Sequence, residues 1–186
     1  MSSGLECPAG YYCPQGSINP IPCVVGTYNP NSSTSGQDAC LNCSQGKYCD
    51  EVGLTYEKGI CSKGYFCKSG SPSKTPAINL TVSQNFIDSY GMCPRGHYCP
   101  EGTSSPEPCP IGYYLDSEGG VSLDDCIKCP PGKYCPTEGL PAPSGLCQAS
   151  YYCPEGSTSP TTSQCEAGYY CIEGSKTQVR CPAGTY

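Results

Sequence analysis

The sequence predicts a small disulfide-rich fold, mostly irregular with short β-ribbons, arranged as an elongated tandem-repeat ladder without a large hydrophobic core. Three observations predict it. Ile, Leu, Val and Phe supply only 24 of 186 residues and Trp is absent, so an ordinary apolar core cannot be assembled. The chain has 19 Cys, a density typical of small secreted domains that are held by disulfides. These cysteines also recur at a fixed spacing.

The repeat has a period of 86 residues. The eight cysteines of the first copy each have a counterpart 86 residues later in the second, and three cysteines of a third copy follow at an offset of 72. We therefore predict a leading segment at 1–6, a first repeat at 7–92, a shorter second repeat at 93–164 and the truncated start of a third at 165–186. The first repeat carries an insertion at about residues 70–92, where the β-branched run AINLTVSQNF predicts a strand or a small lid.

A smaller motif, C-x-x-G-x-[YF], recurs within each repeat, as in CPAGYYC at Cys7 and CSQGKYC at Cys43. The glycine suits a tight turn with positive φ, and the following aromatic ring is suited to lie across a disulfide or a proline. Ser150 stands where this glycine is expected, which predicts a strained turn or a turn of another type.

All but one of the cysteines are predicted to form disulfides. These are Cys7, Cys13, Cys23, Cys40, Cys43, Cys49, Cys61, Cys67, Cys93, Cys99, Cys109, Cys126, Cys129, Cys135, Cys147, Cys153, Cys165 and Cys171. Two registers are open. One closes each module on itself, beginning with Cys7 to Cys13. The other begins with Cys13 to Cys23 and forces Cys40 onto Cys43. The first is favoured because a bridge across two intervening residues is usually strained.

These modules, joined by C-x-x-C junctions, resemble the ephrin-receptor-like cysteine-rich repeats and, more distantly, the cysteine-rich modules of TNF and growth-factor receptors. The resemblance covers the chain except for the insertion between Cys67 and Cys93. It implies an elongated ladder of small disulfide-bonded β-ribbons in a secreted or surface protein. It implies no catalytic activity.

Modification sites are the main candidate sites. N-linked glycosylation is expected at Asn31 and Asn79, which lie in Ser/Asn-rich or inserted loops. It is not expected at Asn42, which is crowded between Cys40 and Cys43. The stretches SGSPSKTP, GTSSPEP and GSTSPTTS fit O-linked sugar and simple turn chemistry equally well.

No catalytic residue, cofactor or metal is expected. The CLNC and CIKC junctions have zinc-knuckle spacing, but the chain has only one His, and its cysteines recur at the regular spacing of a disulfide framework. The pairs Asp50–Glu51 and Asp124–Asp125 lack the regular ligand pattern of calcium loops. His97 occupies a variable position of its motif and is interpreted as a surface substitution for tyrosine. Sequence motifs of hydrolases, phosphate loops and metalloproteases are absent, so we expect a protein that is not an enzyme.

The predicted location is extracellular or at the cell surface, because disulfides persist in oxidising compartments. A net charge of −6 argues against nucleic-acid partners, and no stretch approaches the roughly 20 apolar residues of a membrane span. The sequence favours an extracellular structural or adhesive protein, a glycosylated building block that self-associates into a filament, stalk or surface appendage. The alternative is a receptor-type ectodomain that binds a protein ligand, with the inserted run at 78–87 as its candidate site.

Overall fold

The computed structural model describes residues 6–76 and 90–184. Within these ranges the chain forms short antiparallel two-stranded ribbons joined by turns and disulfides, with two 3-10 helices at Gln37–Ala39 and Leu123–Asp125. The predicted fold class, a small disulfide-rich repeat fold of short β-ribbons, is confirmed. We number the modules 1 to 10 by their first cysteines, which are Cys7, Cys23, Cys43, Cys61, Cys93, Cys109, Cys129, Cys147, Cys165 and Cys181.

Among the described residues each of modules 1 to 9 contains one ribbon, whose first strand carries the motif aromatics and whose second strand ends just before the next cysteine. The paired strands are β1 (Tyr11–Tyr12) with β2 (Ile21–Pro22), β3 (Thr27–Tyr28) with β4 (Leu41–Asn42), β5 (Lys47–Tyr48) with β6 (Gly59–Ile60), and β7 (Tyr65–Cys67) with β8 (Tyr90–Met92). They continue as β9 (His97–Tyr98) with β10 (Glu107–Pro108), β11 (Tyr113–Tyr114) with β12 (Ile127–Lys128), β13 (Lys133–Tyr134) with β14 (Gly145–Leu146), β15 (Tyr151–Tyr152) with β16 (Ser163–Gln164), and β17 (Tyr169–Tyr170) with β18 (Val179–Arg180).

The turn that opens each ribbon follows from the motif glycine. In module 2 the Thr27 N–H donates to the Val24 carbonyl at 3.1 Å, and Gly26 has φ of 84°. A side chain is disfavoured at such a φ, so glycine is the residue that closes this turn without strain. Ser150 adopts the same conformation with φ of 73°. Its turn is therefore of the same left-handed kind, and it carries the strain expected of a residue with a Cβ there.

The cysteines form the core. The disulfides described are Cys7–Cys13, Cys23–Cys40, Cys43–Cys49, Cys61–Cys67, Cys109–Cys126, Cys129–Cys135, Cys147–Cys153 and Cys165–Cys171. Cys93 and Cys99 are disulfide-bonded as well. Most of these sulfur-bearing side chains are fully buried, whereas Leu115 is the only buried Leu, Ile, Val or Met among the described residues. Cross-links thus replace the packed aliphatic interior of an ordinary domain.

The residues fall into two compact units. The first unit is Met1–Met92 with Cys99–Ser105, and it holds modules 1 to 4 whole. The second unit is Cys93–Tyr98 with Pro106–Tyr186, and it holds modules 6 to 9 whole. The run AINLTVSQNF, predicted as a strand or a lid, lies outside the described residues, as does Asn79.

Candidate functional site: the junction between modules

The junction between neighbouring modules is the feature that the fold repeats most closely. Between modules 2 and 3 four backbone N–H groups donate to carbonyls: Gly26 to Cys49 at 2.7 Å, Asn29 to Leu54 at 2.9 Å, Cys43 to Gly26 at 2.9 Å and Gly53 to Cys23 at 2.8 Å. Between modules 7 and 8 the same four are Gly132 to Cys153 at 2.8 Å, Cys135 to Ser157 at 2.9 Å, Cys147 to Gly132 at 2.9 Å and Gly156 to Cys129 at 2.8 Å. Because only backbone groups take part, the junction is preserved while the surrounding side chains vary.

A second glycine in most modules brings modules two places apart into contact. It follows the second cysteine by three or four residues, at Gly16, Gly53, Gly70, Gly102, Gly139, Gly156 and Gly174, and has positive φ throughout. A Cβ added at Gly10 of module 1 would stand 2.1 Å from the carbonyl oxygen of Gly53 in module 3. The corresponding distance from Gly132 of module 7 to the Gly174 oxygen in module 9 is 2.4 Å. Two backbones therefore meet where no side chain fits.

This second glycine was not predicted from the sequence, although a signal was present. The recurring glycine after CPE, CIE or CKS was as regular as the first one. A glycine that recurs at one position of a repeat indicates either a positive φ or a close approach, and here both apply.

Motif aromatics cover some of these glycines. The Tyr11 ring lies 3.2 Å from where a Cβ of Gly53 would be, and the His97 ring lies 3.1 Å from the same point at Gly139. His97 is half-buried, and its Nδ1 lies 3.1 Å from the Arg95 carbonyl oxygen. It therefore takes the packing place of the tyrosine in module 1.

Modules 2 and 6 lack the second motif cysteine, and each fills its place differently. Asn29 in module 2 is fully buried, and its Nδ2 donates to the Tyr11 carbonyl and to the Thr34 hydroxyl, both at 2.9 Å. Its Oδ1 accepts from the Asn31 N–H at 3.0 Å. Leu115 in module 6 instead packs on the disulfide of its own module, Cys109–Cys126. Module 2 thus fills the place of the missing cysteine with hydrogen bonds, and module 6 fills it with apolar contact.

A group of ion pairs stabilises module 3. The Lys47 ammonium contacts Glu57, whose other carboxylate oxygen accepts from the Ser44 N–H at 2.7 Å. Burial raises the pKa of Glu57, but hydrogen bonds from Lys47 and Ser44 outweigh it, so the pKa lies below its ordinary value. Lys58 pairs with Asp50 at 3.2 Å and also with Glu51.

Three of the four carboxylates considered for calcium have other partners. Asp50 and Glu51 both pair with Lys58, as described above. Asp125 accepts from the backbone N–H groups of Val121 at 2.6 Å and Ser122 at 3.1 Å, and so caps the second 3-10 helix.

The cysteines of the CLNC and CIKC junctions are bound in disulfides. Cys40 and Cys43 pair with Cys23 and Cys49, and Cys126 and Cys129 pair in the same manner. A disulfide sulfur carries no thiolate charge for zinc. Within 6–76 and 90–184, no group of three or more His, Cys, Asp or Glu is arranged to hold a metal ion. Cys181 has a free thiol that is half-buried.

The predicted glycosylation site at Asn31 lies at the surface. Its side chain is exposed, and the loop that carries it bends at Ser33, where φ is 58°. Asn42, which was not expected to be modified, is exposed as well.

Three exposed apolar positions are matched between the first two repeats at the 86-residue spacing. Their relative exposures are 46% and 48% for Val25 and Ile111, 45% and 45% for Leu41 and Ile127, and 49% and 50% for Ile60 and Leu146. Module 3 adds two unmatched ones, Val52 at 59% and Tyr56 at 70%, where module 7 has Glu138 and Ala142. Both a repeated and an unrepeated apolar surface are therefore present.

A shallow cavity of about 170 Å³ lies in modules 1 and 2. Its walls are formed by Tyr12, Pro22, Val24, Thr27, Gln37, Cys40 and Asn42. It is smaller than the roughly 300–1,000 Å³ of ordinary small-molecule sites. Neither 3-10 helix has the length or apolar character to cross a membrane, and the described residues contain no longer helix.

Comparison with known proteins yields two partial similarities. The chain is 30% identical over 122 residues to the Arabidopsis thaliana white-brown complex homolog protein 30, covering 46% of this chain and 11% of that protein. It is 28% identical over 108 residues to ABC transporter G family member 28 of the same plant, covering 47% of this chain and 9% of that protein. The chain thus spans about a tenth of the length of these curated relatives. No family model matches the chain.

Proposed function

We propose that this chain is part of an extracellular structural or adhesive repeat protein, a glycosylated building block of a filament, stalk or surface appendage, with no catalytic role. The observation that carries the proposal is the recurrence of the same four backbone hydrogen bonds between successive modules. A junction that depends on the backbone can be repeated along a chain without a change in geometry, which is the property a structural array needs.

An oxidising location is supported by the disulfides. The part of the chain that the structure describes has almost no aliphatic core, so a reducing compartment would remove most of what holds it together. The exposed sequon at Asn31 is consistent with passage through the secretory route.

Self-association is supported by the matched apolar positions. A second copy of the chain presents the same side chains at the same 86-residue spacing, so two copies can make the same contact in each repeat. A partner without an 86-residue repeat would contact the apolar side chains of only one repeat.

The assembly experiment uses charge substitutions at matched and unmatched positions. We expect the double variant Leu41→Lys and Ile127→Lys to abolish fibres of the secreted protein in electron microscopy and to leave a monomer in sedimentation. The control is Val52→Lys, which is more exposed than Leu41 and Ile127 but has no apolar counterpart, and which should still assemble. Fibres that survive the double variant, or a wild-type protein that stays monomeric at all concentrations, would refute this mode of assembly.

A receptor-type ectodomain is the second candidate, and module 3 favours it. Its exposed Val52 and Tyr56 break the symmetry of the repeat, as a binding site for a single protein ligand would. If this candidate holds, Tyr56→Ala weakens capture of a surface partner at least tenfold, while Leu41→Lys has no effect. The opposite pattern supports the filament.

The two relatives extend this candidate. Both are named as members of the white-brown or ABC transporter G groups, and each is roughly ten times longer than the matched segment. A cysteine-rich segment that projects from a larger membrane protein fits both the similarity and the disulfides. Sequencing of the complete transcript tests whether the segment belongs to such a protein. A transporter portion in the same reading frame would support it, and its absence would count against it.

A further inference from the structure

Asn42 begins the sequon Asn42-Cys43-Ser44, at which modification was not expected because Cys40 and Cys43 flank it. In the structure those neighbours turn away from it. Cys40 bonds back to Cys23, and Cys43 is fully buried in its bond to Cys49. Asn42 itself lies in strand β4 with an exposed side chain, because successive side chains of a strand point to opposite faces.

The carboxamide of Asn42 makes no hydrogen bond to any described residue. It lies beside Gly70 of module 4, with its Oδ1 3.6 Å and its Cγ 3.7 Å from where a Cβ of that glycine would be. This is an ordinary van der Waals distance, and it holds the side chain over a glycine without using its nitrogen. The nitrogen is therefore available for substitution.

The cavity of modules 1 and 2 adjoins this side chain, since Asn42 forms part of its wall. The same wall includes Tyr12, Thr27 and Gln37, and the Thr27 hydroxyl, which donates to the Val24 carbonyl at 2.7 Å, keeps its oxygen as an acceptor. A ring face that stacks on C–H groups, together with amides and a hydroxyl that hydrogen-bond, is the combination that binds a sugar. A volume of about 170 Å³ suits one sugar residue.

We propose that Asn42 is an N-glycosylation site and that the first sugar of its glycan lies in this cavity. The inference rests on the proposed extracellular function. Nδ2 loses one proton and bonds to the anomeric carbon of an oligosaccharide carried on a lipid pyrophosphate, the bond from that carbon to the phosphate oxygen breaks, and the lipid pyrophosphate leaves. Ser44 supplies the hydroxyl that the sequon requires.

Occupancy is measured on the full chain secreted from cultured eukaryotic cells. An N-glycosidase reaction in ¹⁸O-water labels each formerly glycosylated asparagine as aspartate, and mass spectrometry of the peptides then reports Asn42 and Asn31 separately. We expect label at Asn42. Asn42→Gln and Ser44→Ala should both remove the Asn42 glycan, whereas Gln45→Ala, just outside the sequon, should retain it.

Two failures are distinguishable. A secreted, disulfide-bonded protein with unlabelled Asn42 would overturn the inference and leave the proposed function standing. A protein retained in the cell with free thiols would count against both.

The position of the first sugar is tested by trimming. An endoglycosidase that leaves one sugar on Asn42 should not change the melting temperature, whereas the unglycosylated Asn42→Gln variant should melt about 2–4 °C lower. In a Gln37→Ala background this difference should vanish, because a cavity wall that binds the sugar is lost. A difference that persists in that background, or no difference at all, would show that the sugar does not use the cavity.

Discussion

At the scale of the residue, the glycines decide where backbones can meet. Both glycines of a module have positive φ, but they differ in what surrounds them. Gly10 faces the Gly53 carbonyl oxygen, whereas Gly16, with φ of 84°, has nothing within 4 Å of the point where a Cβ would lie. The two positions therefore separate the cost of an unfavourable φ from the cost of a collision.

We expect Gly10→Ala to lower the free energy of unfolding by about 3 kcal/mol or more, because strain in the left-handed region adds to a clash with backbone. Gly16→Ala, the matched control, should cost only about 1 kcal/mol. Urea unfolding of the disulfide-intact protein measures both. Equal losses would mean that the close approach to Gly53 does not contribute to stability.

The sequence predicted the first of these glycines and not the second. A C-x-x-G turn is a local pattern, so its conformation can be inferred from the motif alone. The approach of Gly10 to Gly53 joins modules 1 and 3, and it depends on how the intervening module directs the chain. Asn29 was missed for the same reason, since one of its partners, Tyr11, lies in strand β1 of module 1 and the other, Thr34, lies in a loop of module 2.

At the scale of the element, modules 2 and 6 each need a side chain that fills the place of the second motif cysteine, which both modules lack. We expect Asn29→Leu, which gives module 2 the residue type of module 6, to destabilise the protein by about 1–3 kcal/mol. The Asn31 N–H would lose its acceptor and the Tyr11 carbonyl would lose one of its two donors, because a leucine side chain makes no hydrogen bond in this buried place. Thermal unfolding measures the loss, with the neighbouring exposed Ser32→Ala as a neutral control. An unchanged melting temperature would show that the hydrogen bonds of Asn29 are dispensable.

The ion pair of module 3 makes that element sensitive to acid. The pKa of Glu57 is lower in the folded chain than its ordinary value of 4.5, so its contribution to stability is complete above that value and is lost as the pH falls through the folded pKa. We expect Glu57→Gln to be less stable than the wild type at pH 7 and to lose less stability between pH 5 and pH 3. Melting temperatures across this range measure the effect.

The control for acid sensitivity is Glu138→Gln. Glu138 is an exposed glutamate of module 7 with no ion pair among the described residues. With this substitution, the decrease in melting temperature between pH 5 and pH 3 should be the same as in the wild type. A Glu57→Gln curve that runs parallel to the wild type would contradict the assigned role of the pair.

At the scale of the whole molecule, cysteine spacing carried most of the prediction. The 86-residue period predicted a chain of like modules, and the shortage of aliphatic residues predicted that cross-links would replace the core. The pairing was left between two registers because spacing alone does not fix which Cα atoms come within bonding distance. In the structure the described pairs close within modules, with Cα–Cα distances of 5.6–6.2 Å.

A molecule built in this way should depend on its disulfides as a whole. We expect a reductant to abolish the near-ultraviolet circular dichroism of the tyrosines and the dispersion of the amide signals in NMR spectra, without a folded reduced state. The physical reason is that Leu115 is the only buried Leu, Ile, Val or Met among the described residues, so hydrophobic burial cannot balance the conformational entropy of the chain once the cross-links open. Reoxidation with a thiol–disulfide couple should restore both signals, and zinc added to the reduced protein should restore neither. If the reduced chain kept its dispersed spectrum, or if zinc recovered it, the cysteines would be acting as something other than structural cross-links.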